Sequence, residues 1–219
     1  MEEVIFLFRY HKLDEVTLRH YRMLEKFHPA HQIVPLGYEL KIPDWLPGTV
    51  DVALDWDYGW PIYDSWLDGD KVYLRWFLGP HRPQARRYIF FEYDIQVKAP
   101  AKEFYGSTWD ADAAAVGVRT PQSDPAWVWW AHAPRLGDAF VYRQGMTPLA
   151  GTLWTHEAMS RISQSRQLLK CYCELRMGTL AKRLGLQCAA IPGAAPSFSW
   201  RAEDIRVTNQ ATWIHPVKH

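Results

Sequence analysis

Between Val4 and Leu36 the chain reads as strand, helix, strand, and that order limits its fold more than any other feature. Val4 to Phe8 is a continuous apolar run of the kind found in a central strand. Asp14 is placed to cap a helix running from about Glu15 to Phe27, with Val16, Leu18, Met23, Leu24 and Phe27 as its apolar stripe. His28-Pro29 ends that helix, and Ile33 to Leu36 begins a second strand. A strand–helix–strand unit this compact belongs to a parallel sheet with a right-handed connection.

The alternation continues along the chain, which predicts one α/β domain over residues 1–219. Residues 38–62, rich in Pro, Gly, Trp and Asp, read as loop. Tyr63 to Phe77 can hold a helix with Trp66, Val72, Trp76 and Phe77 inward, although Gly69 interrupts it. Glu103 to Gly106 reads as a short helix or turn, Trp127 to Trp130 as an aromatic strand or turn, and Phe140 to Tyr142 as a short strand. Thr155 to Leu169 and Glu174 to Leu184 read as helices, the second closed by Gly185. Leu186 to Ile191 returns as a strand, Pro192 to Ser199 is loop, and Thr212 to Lys218 is a short extended tail.

Composition closes several routes. With 25 basic and 24 acidic side chains the formal charge is +1, so no nucleic-acid partner is expected. Cys171, Cys173 and Cys188 make no even disulfide framework and no zinc-knuckle spacing, so they read as free thiols in a reducing compartment. The acidic start runs directly into a strand and no apolar stretch reaches membrane-spanning length, so a cytoplasmic protein without a transmembrane segment is expected. The 12 Trp and 11 Tyr exceed what a core tends to need, which leaves aromatic surface for stacking on sugars or bases.

The most chemically loaded segment is Arg86 to Val97. Its apolar run, Tyr88 to Phe91, carries Glu92 and Asp94 at the carboxyl end. In open α/β sheets ligands gather beyond that end of the strands. Acids at i and i+2 of extended chain face the same side, about 6.5–7 Å apart, a spacing suited to a divalent cation and a phosphorylated ligand.

The order of motifs resembles the GT-A-fold glycosyltransferases, enzymes that use a nucleotide-sugar donor, and the likeness extends over nearly the whole chain. It rests on Phe8-Arg9-Tyr10-His11 after the first strand, Glu92-Tyr93-Asp94, the loop Thr147 to Trp154 with Gly151, Cys173-Glu174 followed by Gly178, and the late His215. The resemblance implies a GT-A-like (Rossmann-like) mixed, mostly parallel sheet flanked by helices. It further implies Arg9, Tyr10, Glu92, Tyr93 and Gly151 at the donor nucleotide, and Asp94 and His215 as ligands of Mn²⁺ or Mg²⁺. Glu174 takes the place of the base of the inverting members. The implied partners are a nucleotide-sugar and a carbohydrate or other hydroxyl acceptor. Two residues depart from the family pattern: Glu92 stands for the usual first Asp, and Cys173 for the first acid of the later pair. Asp70, in Asp-Gly-Asp, is a further candidate for ribose or base, with helix capping as the alternative. Trp154 and Trp200 are candidates for stacking on an acceptor sugar.

Two other readings stay open. A sugar-phosphate nucleotidyltransferase would share the sheet and the metal, but its Gly-rich basic loop has no counterpart in Phe8 to Lys12. A catalytically inactive carbohydrate- or nucleotide-binding protein of the same fold is compatible with the Trp content and with Cys173. A P-loop nucleotidase and a serine hydrolase of the G-x-S-x-G type are excluded by the absence of both motifs.

Overall fold

The computed structural model describes residues 2–10, 14–37, 50–51, 68–79, 82–165, 171–199 and 212–217. Strand β1 (Glu2–Tyr10) leads into α1 (Glu15–Glu25), then β2 (Ile33–Gly37) and β3 (Val50–Asp51). Helix α2 (Gly69–Leu78) precedes β4 (Ala85–Glu92), β5 (Gln96–Val97), α3 (Ala101–Tyr105), β6 (Ala113–Ala115) and β7 (Gly117–Arg119). A 3₁₀ run, Val128–Tyr142, connects to β8 (Gly145–Thr147), β9 (Thr152–Thr155) and α4 (His156–Ser163). Helix α5 (Cys173–Arg183), β10 (Cys188–Ala190) and β11 (Trp213–Ile214) complete the order.

The central sheet has seven strands in the order β10-β6-β9-β4-β1-β2-β3. Every pairing in it is parallel except those of β9, which runs against both β4 and β6. From β1 the chain winds outward through β2 and β3, then returns to place β4 on the other flank of β1. That reversal opens a crevice at the carboxyl ends of β1 and β4, where Arg9 sits in register with Glu92.

The expected central strands are buried on both faces. Ile5, Leu7, Tyr88, Phe90 and Trp154 pack beneath α2, α4 and α5, while Phe6, Phe8, Ile89, Phe91 and Leu153 pack beneath α1 and α3. Asp14 caps α1 as predicted, accepting from the Thr17 amide at 2.9 Å. Gly185, at φ +69°, follows the end of α5 in the left-handed conformation that glycine supplies.

Five expectations change. The inward face of α1 is Thr17, His20, Tyr21 and Leu24, whereas Phe27 lies exposed; the apolar stripe missed it because its members are mostly polar or amphipathic. Phe140 to Tyr142 is not a strand but the solvent-facing end of the 3₁₀ run. Trp154 cannot stack on an acceptor, since it is fully buried on β9 against Phe90. Asp94 is not on the strand: β4 ends at Glu92, and Tyr93-Asp94 form a turn that folds the second acid beside the sheet end. Gly69 opens α2 instead of interrupting a longer helix; residues 63–67, most of the 38–62 stretch, and Trp200 lie outside the described residues.

Candidate metal and donor site

The turn after β4 is held from three sides. Its Tyr93 amide donates to the Arg9 carbonyl (3.0 Å), Ile95 donates to the Glu92 carbonyl (3.0 Å), and Val217 donates to the Asp94 carbonyl (2.8 Å). From α1, His20 Nδ1 lies 2.8 Å from the Tyr93 carbonyl. A carbonyl only accepts, so Nδ1 carries a proton. Burial lowers the His20 pKa, against the Tyr93 hydrogen bond that raises it. His20 is thus a fixed peg behind the Glu-Tyr-Asp segment; only its recurrence with Thr17, Tyr21 and Leu24 at helical spacing could have flagged it.

His215 is delivered by the C-terminal stretch. Strand β11 pairs antiparallel with β5, and Trp213 anchors it by stacking on Phe104 (4.4 Å, 2°) and donating Nε1 to the Ala99 carbonyl (2.9 Å). The His215 amide and carbonyl exchange hydrogen bonds with Ser197 and Ser199, and its ring stacks on Phe198 at 5.7 Å. Gly151, at φ +77°, lets the β8–β9 turn pass close to that phenyl ring: a Cβ there would stand 3.0 Å from Phe198 Cε1. Gly151 therefore supports His215 through Phe198.

Glu92, Asp94 and His215 each place one ligand-capable atom so that all lie within 4.8 Å of one another. His215 Nδ1 sits 3.0 Å from the Ser199 carbonyl, so that nitrogen bears the proton. Nε2 then faces Asp94 Oδ1 at 3.3 Å. In a neutral imidazole this would set two lone pairs against each other in a buried site, so the arrangement calls for a cation between them. A proton meets that demand: burial opposes charging, but the hydrogen bond and charge of Asp94 outweigh it and raise the His215 pKa. A divalent ion meets it equally, and two carboxylates with one imidazole suit Mn²⁺ or Mg²⁺. Proton and metal would compete for one place.

Arg9 pairs with Glu92 at 3.3 Å. Burial works against its charge, yet Glu92 and Tyr73 more than compensate and raise its pKa. The remaining candidates fall apart from this group. Tyr10 is fully buried beside Phe8 and presents no surface to a ligand. Tyr93 is likewise buried and contributes its carbonyl as the His20 acceptor. Asp70 is unavailable: Arg176 grips both its oxygens, Nε at 2.7 Å and Nη2 at 2.6 Å, and it is fully buried. Arg176 also reaches Asp68 (3.2 Å) and the Cys171 carbonyl (2.7 Å), so the Asp-Gly-Asp motif bolts α2 to α5.

Glu174 stands in the first turn of α5, buried, and accepts from the Leu149 amide at 3.1 Å. Gly178, one turn later, faces the Gln144 carbonyl so closely that a Cβ would overlap it. This contact gives the Glu-x-x-x-Gly spacing a physical cause: the glycine lets α5 press on the β8 approach and seats Glu174 against Leu149. Burial pushes the Glu174 pKa up to about 7, against hydrogen bonds from Thr147 and Leu149 that pull it down; Glu92 adds a smaller upward push. The carboxylate lines a cavity of about 660 Å³ together with Arg119, Asp124, Trp127, Tyr172 and Phe198. Arg119 and Asp124 form an ion pair on its wall, a pair no sequence motif announced. Phe198 and Ser199 border this cavity and also contact His215, so the two groups adjoin.

No family profile and no curated protein sequence matches the chain. Two solved structures of the galactosyltransferase LgtC are similar. An active-site mutant of it is 11% identical with a TM-score of 0.50, covering 98% of this chain and 87% of that one. The complex with donor and acceptor sugar analogs is 13% identical with a TM-score of 0.47, covering 84% and 72%. The chain has the α/β fold of the GT-A glycosyltransferases, a mixed, mostly parallel sheet flanked by helices. Among the described residues, no helix is long and apolar enough to cross a membrane.

Proposed function

We propose that the chain transfers a sugar from a nucleotide-sugar to an acceptor hydroxyl, with Asp94, His215 and Glu92 holding a divalent cation and Glu174 acting as base. The observation that carries this reading is the pairing of a cation-demanding Asp94–His215 contact at the sheet's switch point with a separate buried carboxylate across an adjoining cavity. When bound, Mn²⁺ or Mg²⁺ would neutralise charge on the departing nucleoside diphosphate. Arg9, at the same strand end, adds a fixed positive charge toward the donor phosphates.

On the acceptor side, Glu174 accepts the hydroxyl proton as the acceptor oxygen bonds to the anomeric carbon and the bond to the diphosphate oxygen breaks. A base works best with a pKa near the operating pH, and burial places Glu174 there, at about 7. One direct displacement inverts the anomeric centre, so an inverting transfer is the form this base supports. The cavity wall, with Trp127, Tyr172 and Phe198 beside Arg119 and Asp124, offers flat apolar faces and hydroxyl partners of the kind that suit a sugar.

The test is a product assay with a panel of nucleotide-sugars in Mn²⁺, read as release of nucleoside diphosphate. Release with one donor, lost in Asp94→Ala and in chelator, supports the proposal. Tight binding of donor with no release under any metal would favour a binding protein of the same fold. Release of pyrophosphate from a nucleoside triphosphate and a sugar phosphate would favour a nucleotidyltransferase.

A further inference from the structure

We propose that the run from Val128 to Arg143 is a docking surface for an anionic lipid headgroup layer. Its inner side is fastened: Ala133, Leu136 and Ala139 pack with Leu175 and Cys171, and Trp127 lies so close over Gly145 that a Cβ there would overlap the indole. Its outer side is apolar where water should favour polar groups. Val128 and Val141 are each 71% exposed and Phe140 and Tyr142 each 40%; the other large apolar side chain exposed among the described residues is Phe27, at 36%. Single exposed apolar residues need no explanation, but three in succession, Phe140 to Tyr142, with Val128 at the start of the same run, mark an interaction surface.

The charges beside that face select the partner. Arg135 is exposed within the run, and Arg143 ends it with its guanidinium 4.1 Å over the Phe140 ring. Arg183, at the end of α5, pairs with Asp138 at 2.9 Å, and exposed Lys182 is its neighbour. Arg135 and Arg143 within the run, and Arg183 joined to it through Asp138 with Lys182 next in sequence, set more positive than negative charge on this segment. Aromatic and aliphatic side chains that enter the acyl boundary, with arginines left at phosphate level, are what an anionic membrane surface binds. Trp127, Val128 and Trp129 also line the cavity, so docking would hold the cavity mouth at the headgroups. The proposal stands independently of the catalytic reading.

The test is co-sedimentation of the full chain with phosphatidylcholine vesicles, with and without phosphatidylglycerol. Binding is expected to vesicles containing phosphatidylglycerol and to weaken with salt. Val141→Asp, and separately the pair Arg135→Glu and Arg143→Glu, should each cut the partition by roughly tenfold or more, with circular dichroism and melting unchanged. No binding to phosphatidylglycerol vesicles, or equal binding by the variants, overturns the proposal. So does concentration-dependent self-association in ultracentrifugation that Val141→Asp abolishes without any vesicle binding, which would assign the face to a second copy. Donor-dependent thermal shifts read the metal site separately and are unaffected by either outcome.

Discussion

Asp70 and Glu174 are both carboxylates buried in the first turn of a helix, yet their surroundings are opposite. Asp70 is held bidentately by the Nε–Nη2 edge of the Arg176 guanidinium, whose other contacts are Asp68 and the Cys171 carbonyl. Glu174 meets one amide and the Thr147 side chain, and among the described residues no cation stands within ion-pair distance of it. The first arrangement spends its charge on joining α2 to α5. The second leaves a carboxylate whose proton is loosely decided near neutral pH, at the wall of a cavity. Two acids with similar burial thus divide into a fastening and a candidate for chemistry, and the partner rather than the depth makes the division.

Breaking the fastening should have the largest effect. Arg176→Met strands Asp70 without its cation, and chemical denaturation should show a loss of about 3–5 kcal/mol, much of it restored by adding Asp70→Asn. A loss below about 1 kcal/mol would mean that the guanidinium contributes little and that the contrast with Glu174 is not one of compensation.

The second comparison works on the other acid. Glu174→Gln should lower turnover by roughly 10²–10⁴-fold while the protein melts higher than wild type above pH 7. The sign follows from the raised pKa: between 4.5 and about 7 the folded state keeps a proton that the unfolded state has lost, so stability falls as pH rises through that window. The advantage of the Gln variant should therefore be on the order of 3 kcal/mol at alkaline pH and shrink toward nothing near pH 4.5. In the same profile, wild-type kcat/KM should climb through about pH 7 as Glu174 deprotonates.

Gly178→Ala sharpens the geometry. A methyl group against the Gln144 carbonyl must move α5, at a cost of roughly 1–3 kcal/mol, and turnover should fall with Glu174 untouched in sequence. Asp14→Ala makes the smallest change. This third helix-start acid is partly solvated and caps α1, so about 1 kcal/mol should be lost in denaturation with activity retained.

Local physics made much of this visible before any coordinates. The αβ alternation, the Asp14 cap, the Gly185 stop and Glu92 at the end of β4 depend on near neighbours, and each is where the residues implied, whereas Asp94 turns off the strand. Glu174 and Gly178 were legible as a spacing, though its reason, the approach of Gln144, was not. What stayed hidden depends on distant partners. Asp70 meets Arg176 across 106 residues, and no local pattern distinguishes a clamped Asp from a ligand-binding one. His20 was invisible for a related reason, since the buried face of α1 is built from Thr, His and Tyr and carries little apolar periodicity. The Phe140 to Tyr142 run has strand-like composition but ends the 3₁₀ segment and stays exposed.

The most direct measurement is the melting temperature with each nucleoside diphosphate in Mn²⁺, Mg²⁺ or chelator, in wild type, Asp94→Ala and His215→Ala. Ligand at 100 times its Kd stabilises by about 2.7 kcal/mol, a readily visible shift. The predicted result is a shift that requires one nucleotide and a divalent ion together, and that disappears in both variants while their ligand-free melting stays measurable. A shift of the same size in chelator, or one that survives Asp94→Ala, would contradict a metal-bridged donor at Glu92, Asp94 and His215.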